Sequence, residues 1–66
     1  MVYIYNMSGK DFVKKLLKDG WELDRVKGSH HIMRKNGICL SVPVHGNEDL
    51  KLGILNDLTK KAGYKK

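Results

Sequence analysis

The sequence contains one cysteine, one proline and one tryptophan in 66 residues. Cys39 alone closes no internal disulfide and supplies no multi-cysteine zinc site. With only five aromatics in the chain, Trp21 reads as a core or semi-core residue rather than one that stacks on a base. No apolar run approaches the ~20 residues of a membrane-spanning helix. No stretch has the basic, apolar, small-residue order of a secretory signal either. A cytoplasmic protein with no membrane partner is the expectation. Acidic residues are also scarce. Seven Asp and Glu stand against 13 Lys and Arg, for a formal net charge of +6. That excess exceeds what solubility needs in so short a chain, and it points to an anionic partner.

A chain of this length is one domain, with no room for a second. It buries only roughly 60% of its unfolded surface, so the core is one layer of helix on one sheet. No repeat or low-complexity segment interrupts it. We read residues 1–66 as a single domain, with an extra segment at 1–7 and a core at 8–64.

The chain then alternates clear start and stop signals. Ser8 is a good helix N-cap, and Asp11 favours the positive end of the helix dipole. Phe12, Val13, Leu16 and Leu17 recur at helical spacing, and Gly20 suits a helix end. This predicts a helix over about 9–19. Trp21, Leu23 and Arg25 alternate with Glu22 and Asp24 as a strand to about 26. Gly28 and Ser29 connect it to a second strand over 30–35, with His30, Ile32 and Arg34 on one face and His31, Met33 and Lys35 on the other. Asn36-Gly37 is suited to a two-residue type I′ turn, in which both central residues have positive φ. Ile38, Leu40, Val42 and Val44 share one side of a third strand. Pro43 marks that strand as an edge, or as ending there. A loop over 45–50 precedes a second helix over about 52–62, stopped by Gly63. Gly53 is a poor helix residue that lets something approach closely. Helix, three antiparallel strands, helix makes an α+β fold in two layers, αβββα, with both helices on one face of the sheet. That order is the one double-stranded-RNA-binding domains use.

Two of the three histidines, His30 and His31, adjoin in the stretch "KGSHH". Arg25, Lys27, Arg34 and Lys35 flank them. The pattern "GW" at Gly20-Trp21, "GSHH" after the first strand, "VPVHG" at the end of the third, "DLKLG" into the second helix and "KKAGY" at its close resembles the HicA family. These are small toxins of bacterial toxin–antitoxin pairs with a double-stranded-RNA-binding-like fold. The resemblance runs from Ser8 to Tyr64. Three features depart from it: a longer leader from Met1 to Asn6, and Leu52 and Cys39, which stand where many relatives carry a proline and a small polar or β-branched residue.

The resemblance implies an mRNA interferase, an endoribonuclease that cuts transcripts and is silenced by a cognate HicB antitoxin. It also implies that His30, the first histidine after the Gly-Ser pair, is catalytic. The residues support that role. RNA carries its own nucleophile, the 2′-hydroxyl, and histidine works as a base near neutral pH. Lys27, Arg25, Arg34 and Lys35 are candidates for holding the phosphate. Gly28 allows positive φ or close approach of a phosphate. Ser29 offers a hydroxyl to the phosphate or to its own turn. Lys51 and the start of the second helix form a candidate phosphate corner. His45 is a candidate proton donor to the leaving oxygen, or equally a loop residue that binds phosphate or nothing. His31 reads as a packing residue and Trp21 as core. His30 and His31 point oppositely and no carboxylate pair is near, so we expect no cofactor and metal-independent cleavage. The other reading is a non-catalytic RNA-binding module, which binds duplex in a salt-sensitive way and cuts nothing.

Overall fold

The computed structural model describes residues 7–64. The extra segment expected at the N-terminus lies outside these residues except for Met7. The element order is α1 (Gly9–Lys18), β1 (Glu22–Lys27), β2 (His30–Lys35), β3 (Ile38–Pro43) and α2 (Leu52–Lys61).

α1 begins where Ser8 Oγ accepts the Asp11 N–H at 3.1 Å, which satisfies one orphan donor of the first turn. It ends in a Schellman arrangement. The Trp21 N–H donates to Leu16 O at 2.9 Å and the Gly20 N–H to Leu17 O at 3.3 Å, with Gly20 at φ +96°. α2 closes the same way, through Tyr64 N to Thr59 O at 2.9 Å and Gly63 N to Lys60 O at 3.1 Å. Its start is weaker. Lys51 is the N-cap and makes no side-chain cap, and no acidic residue stands in the first turn.

The strands form a three-stranded antiparallel sheet in the order β1-β2-β3. Asn36 and Gly37 both have positive φ, 50° and 80°, in the turn between β2 and β3. Met33 pairs with Leu40 and His31 with Val42. These residues share the face that carries both helices. Phe12 and Leu16 of α1, Leu55 of α2, and Met33 and Val42 of the sheet are the largest fully buried side chains. Trp21, Val13, Leu40 and Leu58 complete the core, and Met7, Val44, Leu50, Ala62 and Tyr64 pack around it. Among the described residues, the opposite face of the sheet carries no helix. The fold is α+β in two layers, as the sequence predicts.

Pro43 is the last residue of β3, an edge strand. The Val44 N–H donates to Ser29 O at 2.7 Å. Antiparallel alternation then turns the main-chain groups of Val42, Leu40 and Ile38 toward β2, and those of Pro43, Ser41 and Cys39 outward. The N–H that proline lacks is therefore one the ladder does not use. Val44, expected in the strand, lies just beyond it. Ile38 is 48% exposed.

Candidate active site

His30 opens β2, and its position is set by a two-residue turn. Lys27 and His30 are Cα partners across the β1–β2 ladder, with only Gly28 and Ser29 between them. Gly28 has φ +58° and Ser29 does not have positive φ, the pattern of a type II′ hairpin turn with glycine first. A Cβ on Gly28 meets nothing within 4 Å. Its need for glycine is therefore conformational rather than steric. Ser29 accepts the Val44 N–H through its carbonyl, and this bond stitches the GSHH turn to the VPVHG segment. His45 follows directly, at the same end of the sheet.

His30 is exposed on the helix-free face, while His31 is half-buried on the helix face, its Nδ1 enclosed without a partner. Ile32 and Arg34 share the face of His30 on β2. On β1 the sequence alternation groups Arg25 with Leu23, and the structure corrects this. The register shifts between Leu23 and Arg25, so Leu23 pairs with Met33 and Arg25 with Ile32. Asp24 is the extra residue of this bulge, and it swings Arg25 onto the helix-free face beside Lys27. Bulges near functional sites re-aim side chains in this way. The signal was present in the sequence. The apolar positions Trp21, Leu23 and Val26 break the period of two at the last step.

The face thus gathers His30, Lys27, Arg25 and Arg34. Arg34 lies opposite Cys39 across the β2–β3 ladder. Its guanidinium is held in the charged form first by the Cys39 thiol, then by the carboxylate of Asp24 and, more weakly, that of Glu22. Arg25 has an exposed ion pair with Asp24 at 4.0 Å. Lys35 does not join this face. Its Nζ donates to Asp19 O at 2.9 Å and caps the end of α1 on the helix side. Lys51 stands apart as well. With His45 it lines a hollow of about 270 Å³ that also holds the carboxylates of Glu48 and Asp49. Those carboxylates oppose a bound phosphate. Trp21 is 5% exposed, in the core, and offers no ring for base stacking. Among the described residues, no three His, Cys, Asp or Glu converge as a ligand set.

The family model described as the HicA toxin of bacterial toxin–antitoxin pairs matches residues 9–64. The chain belongs to the HicA toxin family. No curated protein matches it significantly. The match spans every element of this fold, from the first residue of α1 to Tyr64. It makes the chain the toxin of a toxin–antitoxin system. In this HicA toxin no helix among the described residues is long and apolar enough to cross a membrane. Two further residues hold this fold together. Gly9 starts α1 against the end of β3, where a Cβ would overlap the Pro43 carbonyl oxygen. Tyr64 donates its hydroxyl to Asp19 Oδ2 and so joins the ends of the two helices.

Proposed function

We propose that the chain is an mRNA interferase, a metal-independent endoribonuclease that uses His30 as general base, and that a cognate HicB-type antitoxin silences it. The observation that carries this reading is the company of His30. It is exposed at a strand start, with Lys27 across the ladder and Arg25 and Arg34 on the same face. RNA laid on that face brings a phosphate against the cations and a 2′-hydroxyl against the imidazole. His30 takes the 2′-hydroxyl proton, O2′ attacks the adjacent phosphorus, and the bond to O5′ breaks. The products are a 2′,3′-cyclic phosphate and a 5′-hydroxyl, the leaving oxygen taking a proton from water or from His45. The cations stabilise the charge that builds on the phosphate. None of the side-chain hydrogen bonds among the described residues orients His30. A base without an orienting partner is a slow one, and slow cutting suffices for a toxin acting on long transcripts.

The test is cleavage of a long unstructured RNA in excess EDTA by wild type and His30→Ala, with folding of both verified by circular dichroism. Cutting by the wild type that disappears in the variant supports the reading. Cutting that survives in His30→Ala moves the base elsewhere, with His45 the next residue to replace. No cutting by either protein, with salt-dependent duplex binding, gives the RNA-binding module instead.

A further inference from the structure

We infer that the outer edge of β3, together with the groove between it and α2, is where an extended segment of the acidic partner protein adds as a fourth strand. Cys39 and Ser41 turn two N–H groups and two carbonyls away from β2, and no strand among the described residues lies beyond them. Beyond Ser41, the outward carbonyl of Pro43 is covered by the start of α1 at Gly9. The open edge is therefore short and has a defined end.

Beside this edge lies a groove of about 350 Å³. Leu40 and Leu58 line it with Gly53 and Ile54, and so do Asp57 and Lys61, which pair at 3.0 Å. An edge strand next to a helix, with a groove between them, is the geometry in which main-chain bonds hold a peptide and alternate side chains enter the groove. Gly53 is the second observation. Glycine in a helix costs about 1 kcal/mol relative to alanine. Here nothing among the described residues needs it, since a Cβ would meet none of their atoms within 4 Å. The space it leaves opens into the groove. Ile54, 40% exposed, adds apolar surface to it.

Charge selects the occupant. Two copies of a chain carrying +6 repel each other. RNA has no main-chain amides to add to a strand edge. An acidic protein segment meets both conditions, and a toxin of this family has an antitoxin partner. The inference rests on the chain being the toxin of such a pair. It does not depend on the ribonuclease reading. A partner anchored on β3 lies one strand from His30 and can overhang the helix-free face.

The experiment measures binding of the purified cognate antitoxin by calorimetry. The proteins compared are wild type, Gly53→Leu and Ser41→Pro. Leucine fills the groove from a helical position with free space around it. Proline removes an outward N–H that the ladder does not use. Affinity is expected to fall about tenfold or more in each variant. Gly53→Leu is expected to melt no lower than wild type and to cut RNA at the wild-type rate, a readout that separates failure of this inference from failure of the ribonuclease reading. Affinity within about twofold of wild type in both folded variants overturns the inference, as does a wild type that does not bind the antitoxin. Sedimentation showing a wild-type dimer that Gly53→Leu dissociates assigns the edge to a second copy and likewise overturns it. So does a loss of RNA binding with antitoxin binding intact.

Discussion

A methyl group on Gly9 would overlap the Pro43 carbonyl oxygen, and both are held by backbone. Gly9→Ala is therefore expected to cost about 1–3 kcal/mol, the range for overpacking a site that cannot relax. The same change at Gly53 meets open space. There the gain in helix propensity stabilises by up to about 1 kcal/mol. Thermal melts of the two variants should move in opposite directions. In a domain of this size, 1 kcal/mol shifts the midpoint by about 4–8 °C. Equal shifts of one sign would mean that the start of α1 does not sit on β3 as described. Gly28 differs from both, because its φ of +58° strains any side chain regardless of space. Gly28→Ala is expected to lower both stability and cleavage, since the turn aims His30.

The two helices are finished unequally. α1 has a side-chain cap at its start, whereas α2 starts at Lys51 with none and carries a cation at the positive end of its dipole. Lys51→Ser is expected to raise stability by about 1 kcal/mol, read from urea unfolding. A matching fall in RNA cleavage would assign Lys51 to the substrate, and unchanged cleavage would leave it a structural residue. At their far ends the helices are joined. Tyr64 stacks edge-on against Phe12 with ring centres 6.3 Å apart, and Lys15 Nζ lies 4.7 Å from its ring centre. Burial first, then the hydrogen bond to Asp19, raises the phenol above its ordinary value of 10.0. A raised phenol favours the neutral form in the folded state. Its stabilisation is complete below pH 10 and is lost as pH rises above that value. Tyr64→Phe is expected to cost about 0.5–1 kcal/mol at pH 8. The gap between wild type and variant should narrow at pH 11. A gap that widens there would contradict the raised phenol.

Across the whole molecule the charge of +6 is unevenly used. Lys35 and Lys15 serve the end of α1, where Lys15 Nζ is 3.9 Å from Asp19 Oδ2. Lys61 pairs with Asp57. Arg25, Lys27 and Arg34 remain on the face of His30. If those three hold the phosphates, log Kd for single-stranded RNA should change with log salt at a slope of magnitude about 2, from ~0.7 per contact. Replacing Lys27 with Gln should lower that slope by about 0.7 with little change in melting temperature. A slope unaffected by Lys27→Gln would place the RNA on another surface.

The element order, both helix ends, the Asn36-Gly37 turn and the candidacy of His30 were all legible in the sequence. Each depends on residues within a few positions: a hydroxyl before a helix, a glycine after it, two residues able to take positive φ, a histidine after Gly-Ser. The facing of the basic residues was not legible in the same way. Arg25 reaches the face of His30 only because Asp24 bulges out of β1, and a bulge is a feature of the pairing with β2 rather than of β1 alone. Lys35 adjoins the site in sequence and strand alternation sets it on the face of Met33, but only the packing of α1 on the sheet brings its Nζ to the Asp19 carbonyl. The need for glycine at position 9, the open edge of β3 and the groove beside it arise between segments far apart in the chain. Local chemistry determined which elements form and where they stop. Pairing register and packing, which sum contacts across the whole fold, decided which side chains meet.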